Sequence, residues 1–350
     1  MPQRAKVGER KTRSFSIAKR YHAKQFPRPL PISNVMAAIK QAFVLGAGLG
    51  KRLRPLTEDL PKPLVPIFHK PLITFALDHL IDIGIQNFFI NTHRLPETFA
   101  KAFPENSYSG TPLTLVNEPV LLETGGGIKN LEADLGREAF ITYSGDVLTD
   151  IRLQPLIAAH FNRGNDVTLA LRHTGLGSAI ALRENQVVDL SNRYGIPGEY
   201  DFANIAVWNP AVFARIPEKQ KISFVPILGD WIGHGGKIGG VVLEEGKWFN
   251  LGSRAEYFEV HRVISKEGWR PAQVKASDWS APIHPSAMVD PAAQIRGCCV
   301  VGKDCRVGAG AVLEDTILWP GAQIASKSEL IGCIVRARKT VSGTHRNIDI

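Results

Sequence analysis

The sequence predicts an α/β fold, a mainly parallel mixed sheet with helices on both faces, followed by a parallel β-helix. Three observations carry this prediction. Between residue 41 and about residue 266, short apolar runs alternate with stretches of helical spacing, the pattern of strands joined by crossover helices. A glycine-rich loop follows the first of these runs directly. Beyond residue 280, aliphatic residues recur at every sixth position, the period of coils that stack one upon the next.

Residues 42–45 form the first buried run and end in the glycine loop. Over 71–83, Leu72, Phe75, Ala76, His79, Leu80 and Ile83 share one side of a helix. Gly84 stops that helix, and 88–91 reads as the next strand. Residues 113–116, 140–143 and 167–171 continue the series. The character changes after Glu267: the stretch 269–280 holds Pro271 and no clear period, as a linker would. Ile283, Val289, Ile295, Val301, Val307 and Leu313 are then each six apart. Leu318, Ile324 and Leu330 resume the step after a slip of one residue, and Val335 and Val341 after another. The expected division is a basic, disordered extension over 1–37, the sheet domain over 38–266, a linker over 267–280, the repeat module over 281–343 and a tail over 344–350.

A chain of 350 residues can bury one large core and a smaller one. Its 44% hydrophobic and 21% charged residues are ordinary for a soluble protein. No apolar run approaches the roughly 20 residues of a bilayer span, and no apolar h-region with a cleavage site is present. A cytoplasmic location and no membrane partner are therefore expected. The net charge of +9 is unevenly placed: nine Lys and Arg residues and the single acid Glu9 precede Met36, a surplus of eight that leaves +1 for the rest. The body is nearly neutral, which argues against a nucleic-acid partner. The extension reads as a basic arm, as a transit-like segment, or as residues upstream of a native start at Met36. The last is the expected reading, because the first strand follows at once. Cys298, Cys299, Cys305 and Cys333 match neither a paired zinc spacing nor a secreted disulfide framework, so they are expected as structural thiols of a reducing compartment.

The strongest motif is Leu45-Gly46-Ala47-Gly48-Leu49-Gly50-Lys51-Arg52-Leu53-Arg54-Pro55-Leu56-Thr57, followed by Pro61-Lys62-Pro63. Glycines directly after a buried strand let backbone N–H groups approach phosphate oxygens, and basic residues beside them neutralise the charge. It is not a P-loop, because Leu45 stands at the first glycine position and Arg52 replaces the hydroxyl residue. Nor is it a dinucleotide fingerprint, because Gly46, Gly48 and Gly50 are spaced G-x-G-x-G.

At these residues the chain resembles the sugar-1-phosphate nucleotidyltransferases that make nucleotide sugars, whose signature is G-x-G-x-R-L-x-P-L-T followed by P-K-P. The resemblance covers roughly residues 38–264. The repeat module resembles the left-handed β-helix of hexapeptide-repeat proteins, which many members carry at the C-terminus. It implies a Rossmann-like nucleotide-diphospho-sugar transferase fold, with a nucleoside triphosphate and a sugar 1-phosphate as partners and Mg²⁺ as cofactor. Arg52 would grip the triphosphate and its pyrophosphate leaving group, and Lys62 would contact the α-phosphate. Leu45, Gly46, Ala47, Gly48 and Gly50 would hold the nucleotide through the backbone.

Ser144-Gly145-Asp146 follows a predicted strand, at the sheet edge where α/β ligands bind, and the resemblance makes Asp146 a metal ligand. The second ligand position falls in Trp248-Phe249-Asn250-Leu251-Gly252, where Asn250 replaces the family carboxylate. Asp150 would either supply the missing charge or cap the helix near Leu153. Glu123, Thr124 and Gly125 occupy the base-recognition loop. The run Glu123-Thr124-Gly125-Gly126-Gly127 resembles that of the N-acetylmuramate-1-phosphate uridylyltransferases, whereas a β-helix is more usual in the guanylyl and glucose-1-phosphate branches. Both UTP with N-acetylmuramate 1-phosphate and GTP with mannose 1-phosphate therefore stand open. Arg193 is the candidate for the sugar phosphate, and Asn204, where relatives commonly have Gly, for a sugar hydroxyl. Two other functions are weighed. Asn250 and the β-helix suit a non-catalytic regulatory subunit. His284 and His345 would suit a hexapeptide acyltransferase, against which the shortness of the array speaks. A homo-oligomer formed through the β-helix is a further expectation.

Overall fold

The computed structural model describes residues 39–275 and 278–350. The basic extension expected over 1–37 lies outside the described residues. In chain order come β1 (Gln41–Leu45), the short antiparallel pair β2 (Pro66–Ile67) and β3 (Lys70–Pro71), and α1 (Ile73–Asp82). Next are β4 (Asn87–Thr92), α2 (Pro96–Ala102), β5 (Ser107–Tyr108), β6 (Thr111–Asn117), α3 (Glu123–Asn130) and α4 (Glu132–Leu135). They are followed by β7 (Phe140–Ser144), β8 (Val147–Thr149), α5 (Gln154–Arg163), β9 (Val167–Arg172), β10 (Ile180–Arg183), β11 (Gln186–Leu190) and β12 (Asp201–Trp208). The domain closes with α6 (Phe224–Gly233), β13 (Ile238–Val242), β14 (Trp248–Asn250) and α7 (Arg254–Lys266).

Ten strands form one sheet in the order β10-β11-β13-β9-β12-β7-β1-β4-β6-β5. β1 is parallel to β4 on one side and to β7 on the other, while β12 runs antiparallel to both β7 and β9. The chain leaves β1 toward β4 and β6, then returns to the opposite side at β7. The loops after β1 and β7 therefore diverge at a topological switch point, the crevice where open α/β sheets bind ligands.

The alternation of side chains along the strands fills both faces. On β1, Ala42 and Val44 enter one core with Ile73, Leu77 and Leu80 of α1. Phe43 enters the other, with Ile128 of α3 and Leu228 of α6. Each such fully buried aliphatic or aromatic residue contributes about 1.5–3 kcal/mol. A third core joins the two domains. Tyr257, Val260 and Ile264 of α7 meet Val300, Ile317 and Ile334 from the outer face of the β-helix. α7 begins with Ser253, whose Oγ accepts from the Glu256 N–H at 3.2 Å and donates to the Glu256 carboxylate at 2.9 Å, a helix-starting pairing legible as S-x-x-E.

The C-terminal module is built from three parallel sheets of short strands. Val301, Leu318 and Val335 stack in register on one side, and Val307, Ile324 and Val341 on another. These residues, with Leu313 and Leu330, fill its interior, so the six-residue repeat marks inward positions there as expected, while Ile283, the first of the series, is 41% exposed. The segment 344–350, expected as a tail, instead completes another coil. Thr344–Arg346 pairs with Glu329–Ile331, and the N–H of Ile350 donates to the Ile334 carbonyl at 2.9 Å. His345 stands where Leu330 has its partner, and this polar residue ended the aliphatic pattern one coil early.

The described residues of the segment read as a linker are irregular but packed. Trp279 is buried in the interdomain core, and Gln273 Nε2 donates to the Thr149 carbonyl at 2.8 Å. All four cysteines are free and buried. Among the described residues, no helix is long and apolar enough to cross a membrane.

Candidate active site

The loops at the switch point line a cavity of about 580 Å³ that includes Ala47, Gly48, Arg52, Lys62, Thr124 and Asp146, a size usual for small-molecule sites. The Gly145 N–H donates to the Leu45 carbonyl at 2.9 Å, which ties the loop after β7 to the end of β1. The three glycines after β1 serve different ends. A Cβ on Gly46 would lie 2.6 Å from the Asn91 carbonyl, so the chain passes too close to β4 for a side chain. Gly48 faces open space, with nothing within 4 Å of such a Cβ. Gly50 has φ +61 and receives the Thr57 hydroxyl on its carbonyl at 2.8 Å.

Lys62 is 7% exposed, and its Nζ donates to Asp146 Oδ2 at 2.6 Å. The same ammonium lies 3.5 Å from Asn250 Oδ1. The antiparallel pairing of β8 and β14 places Val147 opposite Asn250, which brings the two candidate ligands to one point. Arg52 is exposed, and its guanidinium lies over Gly252, where a Cβ would come within 2.9 Å. Asp150 belongs to neither expected role. Its carboxylate accepts from the Lys247 N–H and the Trp269 indole, both at 2.6 Å, and α5 starts without a side-chain cap. Among the described residues, no group of three or more His, Cys, Asp or Glu is arranged to hold a metal.

Glu123 and Thr124 line the cavity at the start of α3, and Glu123 takes φ 61 there. The glycines after them were expected to admit a ligand. Gly125 and Gly126 admit the protein's own backbone. A Cβ on Gly125 would lie 2.8 Å from the Ile222 carbonyl, and one on Gly126 2.3 Å from the Gln220 carbonyl. The Gly126 N–H donates to Ile222 at 3.0 Å, and the Thr124 hydroxyl accepts from the Phe224 N–H at 3.2 Å. Gly126→Ala is therefore expected to cost about 1–3 kcal/mol through overpacking, measured as a lower unfolding midpoint. Gly48→Ala is the comparison, with no such loss. A Gly126→Ala protein that unfolds with the parent would show this contact to be slack.

Two expected sugar residues stand apart from the residues lining the cavity. Arg193 pairs with Asp230 through its guanidinium and lies against Gly229 of α6. Asn204 has φ 64 and sits where the pairing of β12 with β9 shifts register. A bulged residue in the left-handed region favours Gly or Asn by conformation alone, which accounts for the residue type without a ligand.

A polar chain not anticipated from the sequence links the two loops. The Gly46 N–H donates to Asn91 Oδ1, and Asn91 Nδ2 donates to Glu118 Oε1, both at 2.8 Å. Glu118 Oε2 then accepts from the Leu122 N–H at 3.0 Å. Asn91 and Glu118 are 3% and 1% exposed. The available signal was a polar residue closing an apolar strand, Phe88-Phe89-Ile90-Asn91, at the edge that carries Asp146.

Comparisons with known proteins agree with this arrangement. The chain is 28% identical over 304 residues to a mannose-1-phosphate guanylyltransferase of Mycobacterium tuberculosis, covering 84% of this chain and 82% of that protein. It is 40% identical over 112 residues to an N-acetylmuramate alpha-1-phosphate uridylyltransferase of Neisseria meningitidis, covering 32% of this chain and 48% of the relative. The fold is shared with the inositol-1-phosphate CTP transferase from T. maritima, at a TM-score of 0.53, 18% identity, and coverage of 65% of this chain and 98% of that one. The model of the family described as Nucleotidyl transferase matches residues 41–267, which contain both loops of the cavity. With a glycine loop, two cations and a carboxylate gathered at the switch point of such a sheet, the chain belongs to the nucleotidyl transferase family.

Proposed function

We propose that the protein joins a nucleoside triphosphate to a sugar 1-phosphate and releases pyrophosphate. The observation that carries this reading is the convergence of Lys62, Asp146 and Asn250 within 3.5 Å of one ammonium, beside the open backbone of Gly48. A phosphate oxygen of the sugar attacks the α-phosphorus in line. A new P–O bond forms, the bond between the α-phosphorus and its bridging oxygen breaks, and pyrophosphate leaves. There is little covalent work for the protein, so charge placement and positioning supply the acceleration. Lys62 neutralises the α-phosphate, and Arg52, exposed and free to reach the β- and γ-phosphates, stabilises the leaving group.

Asp146 and Asn250 would hold Mg²⁺. One carboxylate and one amide oxygen suit a cation that takes its remaining ligands from water and substrate phosphates, and the Lys62 ammonium between them already marks the spot as one that favours positive charge. When bound, the ion would supply charge neutralisation at the α-phosphate. Four buried free thiols support a cytoplasmic setting.

For the substrates, GTP with mannose 1-phosphate is the first reading, supported by similarity that extends through both domains. UTP with N-acetylmuramate 1-phosphate is the second, supported by the Glu123-Thr124-Gly125-Gly126-Gly127 run and by the higher identity over a shorter stretch. Purified protein offered GTP, UTP, CTP and dTTP with a panel of sugar phosphates should release pyrophosphate fastest with the first pair. A maximum with UTP and N-acetylmuramate 1-phosphate selects the second reading. Silence throughout, including in pyrophosphate exchange, would mark a non-catalytic subunit.

A further inference from the structure

The loop that joins the two cations is held by the other domain. Residues 54–60, between Arg52 and Lys62, form turns and bends without helix or strand. Leu53 and Leu56 anchor this region in the interdomain core beside Trp319 and Ile334. Its acids, Glu58 and Asp59, are 49% and 70% exposed, yet both meet Arg336, which follows the β-helix strand Ile334–Val335. Arg336 Nη1 donates to Glu58 Oε2 at 3.1 Å, to Asp59 Oδ2 at 2.9 Å and to the Pro55 carbonyl at 3.1 Å. The arginine side chain is only 14% exposed, and its own N–H is fixed on the Ile350 carbonyl at 2.8 Å. Within the sheet domain, Arg94 Nη2 donates to the Glu58 carbonyl at 2.5 Å.

We infer that Arg336 is a positioning residue for the triphosphate grip, setting residues 54–60 so that Arg52 and Lys62 address one nucleotide. This role rests on the proposed function for its chemistry, though the contacts themselves do not. Ion pairs whose carboxylates stand in water add little to global stability. A displacement of about 1 Å at a site of phosphoryl-type transfer, by contrast, can cost on the order of 10²-fold. The β-helix thus acts on the reaction at a distance from the cavity, the guanidinium of Arg336 adding directional contacts to the apolar anchor of Leu53 and Leu56.

The test compares Arg336→Ala, Arg336→Lys and, as a control, Arg346→Ala, whose parent residue pairs with Glu329 within the β-helix. In Arg336→Ala, kcat/KM for the triphosphate should fall roughly 10- to 100-fold, while the KM for the sugar phosphate stays unchanged. Arg336→Lys should recover part of this, since it keeps the charge but loses the guanidinium fork. Adding Arg336→Ala to a Glu58→Gln, Asp59→Asn protein should cost clearly less than it does in the parent, because only the contact with the Pro55 carbonyl then keeps its full strength. Amide exchange over residues 51–62 should rise in Arg336→Ala without substrate present and stay at the parent level in Arg346→Ala. Parent kinetics and parent exchange in Arg336→Ala would overturn the inference. So would equal losses for both substrates together with a lowered unfolding midpoint, which would mark plain structural support. If the parent protein itself turns nothing over, the proposed function fails, while exchange over 51–62 still decides the role of Arg336.

Discussion

Lys62→Ala should lower turnover on the order of 10²–10³-fold, the loss that follows removal of one aimed electrostatic donor, and leave the fold intact. The side chain is nearly enclosed and its ammonium has two oxygen partners, Asp146 and Asn250. Truncation frees Asp146, whose side chain is 33% exposed, so water can solvate the released carboxylate and unfolding should shift little. Arg at this position should not restore the rate, because a planar fork cannot occupy the place of a compact ammonium. Steady-state kinetics beside a thermal melt separates the outcomes. Undiminished turnover in Lys62→Ala would remove this residue from the reaction.

Asp146→Asn should be worse on two counts. Lys62, 7% exposed, loses the charged partner it has at 2.6 Å, and leaving such a group with a poorer acceptor costs about 1–3 kcal/mol. The divalent ion proposed for this site would also lose its one carboxylate, leaving two amide oxygens, which bind a hard cation weakly. Losing several kcal/mol of charge stabilisation corresponds to roughly 10³-fold or more in turnover. The two variants differ in a way that tests their roles. Lys62→Ala should keep magnesium-dependent nucleotide binding, measured by calorimetry, and Asp146→Asn should lose the magnesium dependence. If magnesium strengthens nucleotide binding to Asp146→Asn as it does for the parent, the metal assignment is wrong.

Much of this site was legible before any coordinates. The run from Gly46 to Lys62 is contiguous, and glycine is required where backbone must come close or turn left-handed, so its chemistry is written locally. The β-helix was legible for a similar reason, since stacking demands an aliphatic residue at each inward position. It was lost only where His345 replaces the aliphatic residue. The glycines at 125 and 126 were read from the same kind of local cue, but the close approach they permit is to residues 220–223, about a hundred positions away, which no local cue shows. Asn204 illustrates the same limit, since its residue type answers to a bulge whose existence depends on two strands pairing out of register.

The sequence by itself determined the fold class, the glycine-rich loop and the identity of the residues able to carry charge, because each rests on spacing along the chain. Only the tertiary structure decided which of those charges share one point. Asp146 and Asn250 meet through the pairing of β8 with β14, and Asp150, four residues from Asp146, is turned to Lys247 and Trp269. It also decided where Glu118, Asn91 and Arg336 make their contacts, since each reaches its partner through bonds that no local period encodes. Directional bonds between distant segments are set by the packing of whole layers, and that packing is the sum of every apolar position at once.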